Sequence, residues 1–357
     1  MNHKDNKKCI FAVTNLRMIM EKSGLRKVIQ YVVMLALAAL LLYYSFKGVE
    51  WRSFVESLQK CRWGWIALSM LVGILGFLFR ALRWRLIMLP FNKDISVRES
   101  YDGVTIAYAT NFVFPRAGEV ARCGVLAKSG KISFESALGT VVLERVWDMI
   151  SLLFFIVLVV LLRLDEFGGF LSKHILSPLV ERFSGPSILY LLLPILALVL
   201  LSILLWRVFG ARILRSKLGT RVAKVAKGLW QGMLSAFRMK RKWLFFAYTL
   251  GLWFSYWLTS YVTILAFPSV GELTAVDALF LMIVGGLGWV VPVQGGLGAY
   301  HFIVSLALYA VYAIPQSEGV VFATISHEAQ AVIMILCGLI SLVSINISGK
   351  RRKSLKE

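Results

Sequence analysis

A chain of 357 residues that is 58% apolar and only 17% charged, with a mean hydropathy of +0.73, has too little polar surface for a water-soluble fold. Its 40 Lys and Arg against 19 Asp and Glu leave a net charge of +21, a balance that must be tested against membrane orientation before nucleic acid is considered. Cys9, Cys61, Cys123 and Cys337 are scattered, with no C-x-x-C spacing and no clustered histidines, and define neither a zinc site nor a disulfide framework.

A spanning helix takes about 20 apolar residues. In chain order, a basic segment at 1–27 leads into a first apolar stretch at 28–46. The lead-in is long and no small-x-small site follows, so the stretch reads as an anchor rather than a cleaved signal sequence. A second span follows at 64–82. The stretch 101–128 is broken at Phe114-Pro115-Arg116-Ala117-Gly118 and reads as two short helices folded back on each other, a re-entrant hairpin. Spans at 137–162 and 187–206 come next. Residues 207–242 then carry eleven basic side chains and no acidic one. There Val222, Val225, Ala226, Leu229, Trp230, Met233 and Leu234 recur at helical spacing, which fits an amphipathic helix on the anionic cytoplasmic leaflet and equally an orientation-setting loop. A span at 243–267 precedes the second broken stretch, 275–313, interrupted at Pro292-Val293-Gln294-Gly295-Gly296, and a last span at 319–347 ends in a basic tail, 348–357. For either broken stretch the alternative is a pair of ordinary spans with a tight loop. The expected fold is an all-α polytopic membrane protein with about six full spans and two Pro/Gly-broken re-entrant hairpins.

With a cytoplasmic N-terminus and both hairpins returning to their own side, 32 basic residues fall on the cytoplasmic side and 7 outside, with Arg145 inside a span. That asymmetry is the positive-inside pattern, with N- and C-termini cytoplasmic. The basic excess is thereby accounted for by topology, and nucleic acid is not an expected partner.

The order span, span, broken hairpin, span occurs twice, over about 28–162 and 187–347. Three spans per unit place the halves upside down relative to each other, an inverted repeat. Phe114-Pro115-x-x-Gly118 echoes Val291-Pro292-x-x-Gly295, and each hairpin is followed by a span with polar residues in its first third. Inverted repeats with broken helices near the midplane characterise secondary transporters, and Pro115, Pro292, Gly295, Gly296 and Gly298 are the candidate hairpin hinges.

The polar residues inside these spans are the candidate site. Glu144, Arg145 and Asp148 fall at about 0°, 100° and 40° on a helix and share one face, roughly 10–16 Å below the cytoplasmic boundary. An ionised side chain at that depth costs roughly 2.5–3.5 kcal/mol on insertion scales and persists by pairing or by facing water. An Arg145–Asp148 pair at i,i+3 would explain one acid and leave Glu144 without a partner. From the other leaflet, His327 and Glu328 lie about 12 Å down the last span; the second His at i+4 of a zinc-protease motif is missing. The half-helix after Pro115 would begin near Gly118 with free N–H groups, and Arg116 and Arg122 add charge, an arrangement suited to phosphate or carboxylate. Glu119 sits in its first turn, where it favours the helix dipole or meets a cation. His301, one turn past Gly295-Gly296-Leu297-Gly298, is structural or functional with equal warrant. Arg80, Arg83 and Arg85 with Trp84 read as an interfacial anchor without chemistry.

Pro115-Arg116-Ala117-Gly118-Glu119-Val120-Ala121-Arg122 and Gly139-Thr140-Val141-Val142-Leu143-Glu144-Arg145-Val146-Trp147-Asp148 resemble the transmembrane region of lysylphosphatidylglycerol synthases, the flippase domain of the multiple peptide resistance factor. The resemblance covers about 25–347, so 28–347 is expected to form a single flippase-like domain. Gly295-Gly296-Leu297-Gly298 matches the second-half motif, with His301 standing where the resemblance leads one to expect an acid. It implies translocation of phospholipids, notably aminoacylated phosphatidylglycerol, across a bacterial inner membrane. Residues 350–357 stand where the synthases carry their aminoacyltransferase domain, so lysyl transfer is not expected of this chain.

The expectation is therefore a lipid flippase for an anionic or aminoacylated phospholipid, not an enzyme, in the bacterial inner membrane. The candidate substrate-binding residues are Arg116, Gly118, Glu119, Arg122, Glu144, Arg145, Asp148, His301, His327 and Glu328, with a phospholipid headgroup as partner and no cofactor or metal. No P-loop motif is present, so energy would come from a gradient, the membrane potential or the lipid's own imbalance. A homo-oligomer or a separate lipid-modifying enzyme is a compatible partner. The rivals are an accessory subunit of a lipid or envelope pathway and an intramembrane enzyme with Glu144 and Asp148, or His327 and Glu328, as acid and base.

Overall fold

The computed structural model describes residues 31–163 and 240–354, with side chains through 347. Among the described residues every regular element is helical: α1 (Tyr31–Phe46), α2 (Trp51–Gln59), α3 (Trp63–Met88), α4 (Val97–Val113), α5 (Gly118–Lys128), α6 (Phe134–Leu162), α7 (Lys242–Leu265), α8 (Ala275–Val290), α9 (Ala299–Tyr312) and α10 (Gln316–Ser354). The expected span at 187–206 and the amphipathic segment at 207–242 lie outside the described residues, apart from the last three positions of that segment.

Among the described residues four helices are long and apolar enough to cross a membrane: α3, α6, Gln294–Tyr312 taken through its bend, and α10 up to Ile347; α1 and α2, bent by 86°, make a fifth as a pair. Helix α7 has 24 residues, about 36 Å of rise, yet is not among them, because its Trp, Tyr, Ser and Thr side chains dilute its hydropathy. Leu153, Phe154, Val157 and Leu161 on α6 and Leu339, Ile340, Val343 and Ile347 on α10 are exposed, as an apolar face turned to lipid requires.

Helix starts follow their local chemistry. Ser96 accepts from Glu99 N–H at 3.1 Å while the Glu99 carboxylate accepts from Ser96 N–H at 2.9 Å, a capping box that opens α4. Thr274 and Asp277 repeat the device at α8, and Ser133 caps α6. Arg163, at the end of α6, donates to Asp277, tying that helix to the start of α8.

In both broken stretches the flanking helices pack on each other, α4 on α5 and α8 on α9. A Cβ at Gly118 would lie 2.2 Å from the Ala107 carbonyl oxygen, so α5 closes on α4 only because that residue is glycine. The turn between them places Arg116 in the left-handed region, at φ 63°. In the second break Gly295 and Gly298 have φ of 55° and 78°, conformations glycine adopts without the Cβ penalty. The hairpin tips meet, with the Phe112 ring packed where a Cβ on Gly295 would sit, 2.4 Å away.

The first hairpin is held between α3 and α6 by Ala81, Trp84, Met88, Val104, Leu126 and Val141. Helix α3 lies along α7, and α10 crosses α4, where Thr105 donates to Ser341 at 2.9 Å. Helix α3 runs six residues beyond the expected end at Leu82, since no Pro or Gly interrupts Arg83-Trp84-Arg85-Leu86-Ile87-Met88.

Candidate functional site

The extension of α3 overturns the anchor reading of its arginines. Arg80 and Arg83 stand three residues apart on one helix face, buried, and both are aimed at α6. Arg80 donates from Nε to Glu144 Oε1 at 2.8 Å and from Nη2 to Asp148, while its Nη1 reaches the hydroxyls of Tyr108 at 2.9 Å and Tyr256 at 3.0 Å. Arg83 donates from Nη2 to Glu144 Oε1 at 3.1 Å and to Asp148 Oδ1. Arg122, brought in by α5, donates to Glu144 Oε2 at 2.7 Å. Glu144 is thus held by three arginines, not left without a partner, and the cluster joins five helices: α3, α4, α5, α6 and α7.

Trp84 is buried too. Its Nε1 donates to Thr140 Oγ1 at 2.9 Å, and the Arg122 guanidinium carbon sits 4.7 Å from its ring centroid, a cation–π stack. Arg85 alone among the anchor candidates leaves the cluster, donating to the Ile95 carbonyl at 2.6 Å. On the open side, Arg145 donates to Glu119 at 2.6 Å and to Asp148 at 3.4 Å. The i,i+3 pair expected from sequence exists as the weaker of these two contacts.

The charges do not cancel. Arg80, Arg83 and Arg122 are buried against two carboxylates, Glu144 and Asp148. Four guanidinium nitrogens, Nε and Nη1 of Arg83 and Nε and Nη2 of Arg122, are buried with no hydrogen-bond partner among the described residues. A buried, unsatisfied donor costs about 1–3 kcal/mol, more when charged. An excess cation with spare donors is the chemistry that an anion would satisfy.

A cavity of about 980 Å³ opens beside this cluster, at the end of α3 and the start of α7. Arg85, Lys93, Lys240 and Arg241 line it together with Thr140 and Leu143, and no acidic side chain among the described residues does. Thr140 is the residue that accepts from Trp84, the ring on which Arg122 stacks, and this links the cavity wall to the cluster.

The other sequence candidates are placed differently. Arg116 does not pair with the cluster; its Nη2 donates to the Val290 carbonyl at 3.3 Å, linking the hairpin tips. Gly118 N–H is not free, since Asn111 Oδ1 accepts from it at 2.8 Å. Its role is close packing on α4. Around the second hairpin the structure brings together two histidines that the sequence separates: His301 and His327 have ring centroids 4.9 Å apart, so clustered histidines do exist. His327 Nε2 lies 2.8 Å from the Gly295 carbonyl oxygen and its Nδ1 lies 3.0 Å from Glu328 Oε1, and the ring is stacked on Trp289 at 4.9 Å. Pro292 lies in the second break, with Gly295 and Gly296 buried at its tip.

Sequence reasoning missed Arg80, Arg83, Tyr108 and Tyr256. A signal existed for the arginines: Arg80, Arg83 and Trp84 prolong the apolar face of Val72, Gly73, Gly76 and Phe77 by helical steps. The two tyrosines carry no such mark.

These observations define an all-helical membrane protein with a buried, net-cationic polar cluster between broken helices. Residues 31–338 match the family described as lysylphosphatidylglycerol synthase TM region, and the chain belongs to that family. No curated protein and no solved structure matches it.

Proposed function

We propose that this protein carries an anionic or aminoacylated phospholipid between the leaflets of a bacterial inner membrane. Membership of a lipid-associated membrane family supports the setting. The observation that carries the reading is the excess buried arginine with four unpartnered guanidinium nitrogens on Arg83 and Arg122. A lipid phosphate supplies both the missing charge and the missing acceptors, and arginine forks suit it geometrically.

The headgroup enters from the basic cavity, which the positive-inside count places on the cytoplasmic side, and reaches the arginines as α5 parts from α3 and α6. Glu144 is fully occupied holding three guanidiniums and serves to position them. Asp148 and Glu119, less buried, face the amine of an aminoacylated headgroup. The two hairpins, meeting at Phe112 on Gly295 and Arg116 on Val290, are the gates of an inverted repeat with six spans. The protein works as a carrier, not an enzyme, with both termini in the cytoplasm.

The test is leaflet exchange in proteoliposomes with head-labelled phosphatidylglycerol, its lysyl ester and phosphatidylethanolamine, using an external quencher. Wild type is expected to expose more than half of the label of an anionic or lysylated lipid. Arg122→Lys, which keeps the charge but loses the fork, and the double variant Lys240→Ala, Arg241→Ala slow it. Exchange no faster than in empty liposomes for all three lipids, with and without an imposed membrane potential, overturns the proposal.

A further inference from the structure

The polar cluster of the second hairpin is not used by this mechanism. Its geometry begins with one hydrogen bond. His327 Nε2 lies 2.8 Å from the Gly295 carbonyl oxygen. A carbonyl only accepts, so Nε2 carries the hydrogen, and in the neutral ring the lone pair is on Nδ1. That lone pair faces Glu328 Oε1 at 3.0 Å. Two acceptors at this distance repel unless an electrophile lies between them.

A proton would answer for His327 and Glu328 and leave a third donor unexplained. His301, on α9, is buried at 2% exposure, its Nδ1 has no hydrogen-bond partner among the described residues, and its Nε2 stands 3.9 Å from the same Glu328 oxygen. One ligand atom from each of His301, His327 and Glu328 falls within 4.8 Å of the others. Two atoms bound to a tetrahedral zinc at about 2.0–2.1 Å stand about 3.3–3.4 Å apart, so His327 and Glu328 are already near that spacing. Closing the set to that spacing takes movement of Glu328, whose side chain is 48% exposed, together with an approach of the two imidazoles by no more than about one bond length.

We infer that His301, His327 and Glu328 form a binding site for a divalent transition-metal ion of the zinc class. Two imidazoles and one carboxylate are the donors such an ion takes, with the fourth position left to water on the exposed side of Glu328. The Gly295 carbonyl supplies the outer hydrogen bond that fixes the ligating tautomer, as outer partners of metal-bound histidine do. Trp289 and Tyr300, with centroids 4.9 and 5.3 Å from that of His327, wall the site from lipid. The ion would clamp α9 to α10 and, through Gly295, hold the tip of the second hairpin.

The experiment uses the full chain purified in detergent without a polyhistidine tag. Wild type is expected to bind one equivalent of zinc, to melt at a higher temperature with zinc than after chelation, and to give the visible absorption of four-coordinate cobalt when Co²⁺ replaces it. Glu328→Gln and His301→Gln each weaken binding by at least about tenfold, while His3→Ala with His174→Ala, which removes the chain's other two histidines, does not. Should either ligand variant fail to fold, the wild-type stoichiometry and cobalt spectrum decide the matter together with the His3, His174 variant. Absence of stoichiometric binding, binding that follows His3 and His174, or ligand variants that bind as wild type would overturn the inference.

Discussion

Around Glu144 the protein settles its buried polar groups with opposite charge, whereas around His327 it uses a backbone carbonyl, aromatic walls and one half-exposed acid. The first arrangement draws side chains from five helices and leaves one cation in excess. The second is confined to the second hairpin, α10 and the Phe112 ring, and leaves a histidine nitrogen without a partner. Both positions follow a pair of packed helices joined by a break, α4 with α5 and α8 with α9, and the two are filled with different chemistry. A similar local order of elements therefore does not fix the charge of a site. That charge follows from which helix happens to pack opposite: α3, with Arg80 and Arg83, faces the acids of α6, and α9, with His301, faces α10.

The largest effect separating the halves should come from Glu144→Gln. It replaces the common acceptor of Arg80, Arg83 and Arg122 by a neutral amide, and breaking a buried ion pair costs about 3–5 kcal/mol. Thermal melting in detergent is expected to fall steeply, with loss of monodisperse protein. Glu328→Gln, in a half-exposed carboxylate, should change stability by no more than about 1 kcal/mol in metal-free protein. Equal losses in the two variants would erase the contrast between the clusters.

The hairpin tips give the next effect. Gly295→Ala puts a Cβ 2.4 Å from the Phe112 ring at a φ of 55°. The left-handed conformation alone costs a non-glycine residue about 1–2 kcal/mol. Adding Phe112→Ala should recover the clash and leave the conformational cost, a coupling of about 0.5–3 kcal/mol in a double-mutant cycle of melting data. Strict additivity would mean that the tips do not touch.

What the sequence showed and what it hid follow from how far each signal reaches. The breaks at Pro115 and Pro292 are local, and the structure puts turns at both. The acids of α6 were visible because charge in an apolar run is conspicuous. Their partners were not, because Arg80 and Arg83 sit near a helix end where a cation also fits the interface, and the pairing is set by α3 lying against α6, more than 60 residues away in sequence. Gly118 shows the same limit: the motif marks it, but only the Ala107 carbonyl beside it shows that it packs and does not offer its N–H. The joining of His301 to His327 is likewise a matter of α9 folding onto α10.

A smaller effect tests the link between the cavity and the arginines. Trp84→Phe keeps a ring for Arg122 to stack on and removes the indole hydrogen bond to Thr140. The expected loss is about 1 kcal/mol in melting data. Trp84→Leu should cost more, since the stacked cation is also lost; equal costs would show that the stack contributes nothing.

The smallest expected effect on stability is at Arg145, and it is the most informative about transport. Its side chain is 46% exposed, and pairs of that kind contribute about 0–1 kcal/mol. Arg145→Gln should therefore melt close to wild type. Yet Arg145 holds Glu119 at 2.6 Å and shares Asp148 with Arg80 and Arg83, so it stands between the two acids assigned to an amine-bearing headgroup. Freeing both acids should favour lysylated over unmodified phosphatidylglycerol in the leaflet-exchange assay, raising the ratio of the two rates above wild type. The charge-preserving Arg145→Lys should leave that ratio near wild type. An unchanged ratio in Arg145→Gln, in protein that melts normally, would remove Glu119 and Asp148 from headgroup recognition and leave the arginines as its only basis.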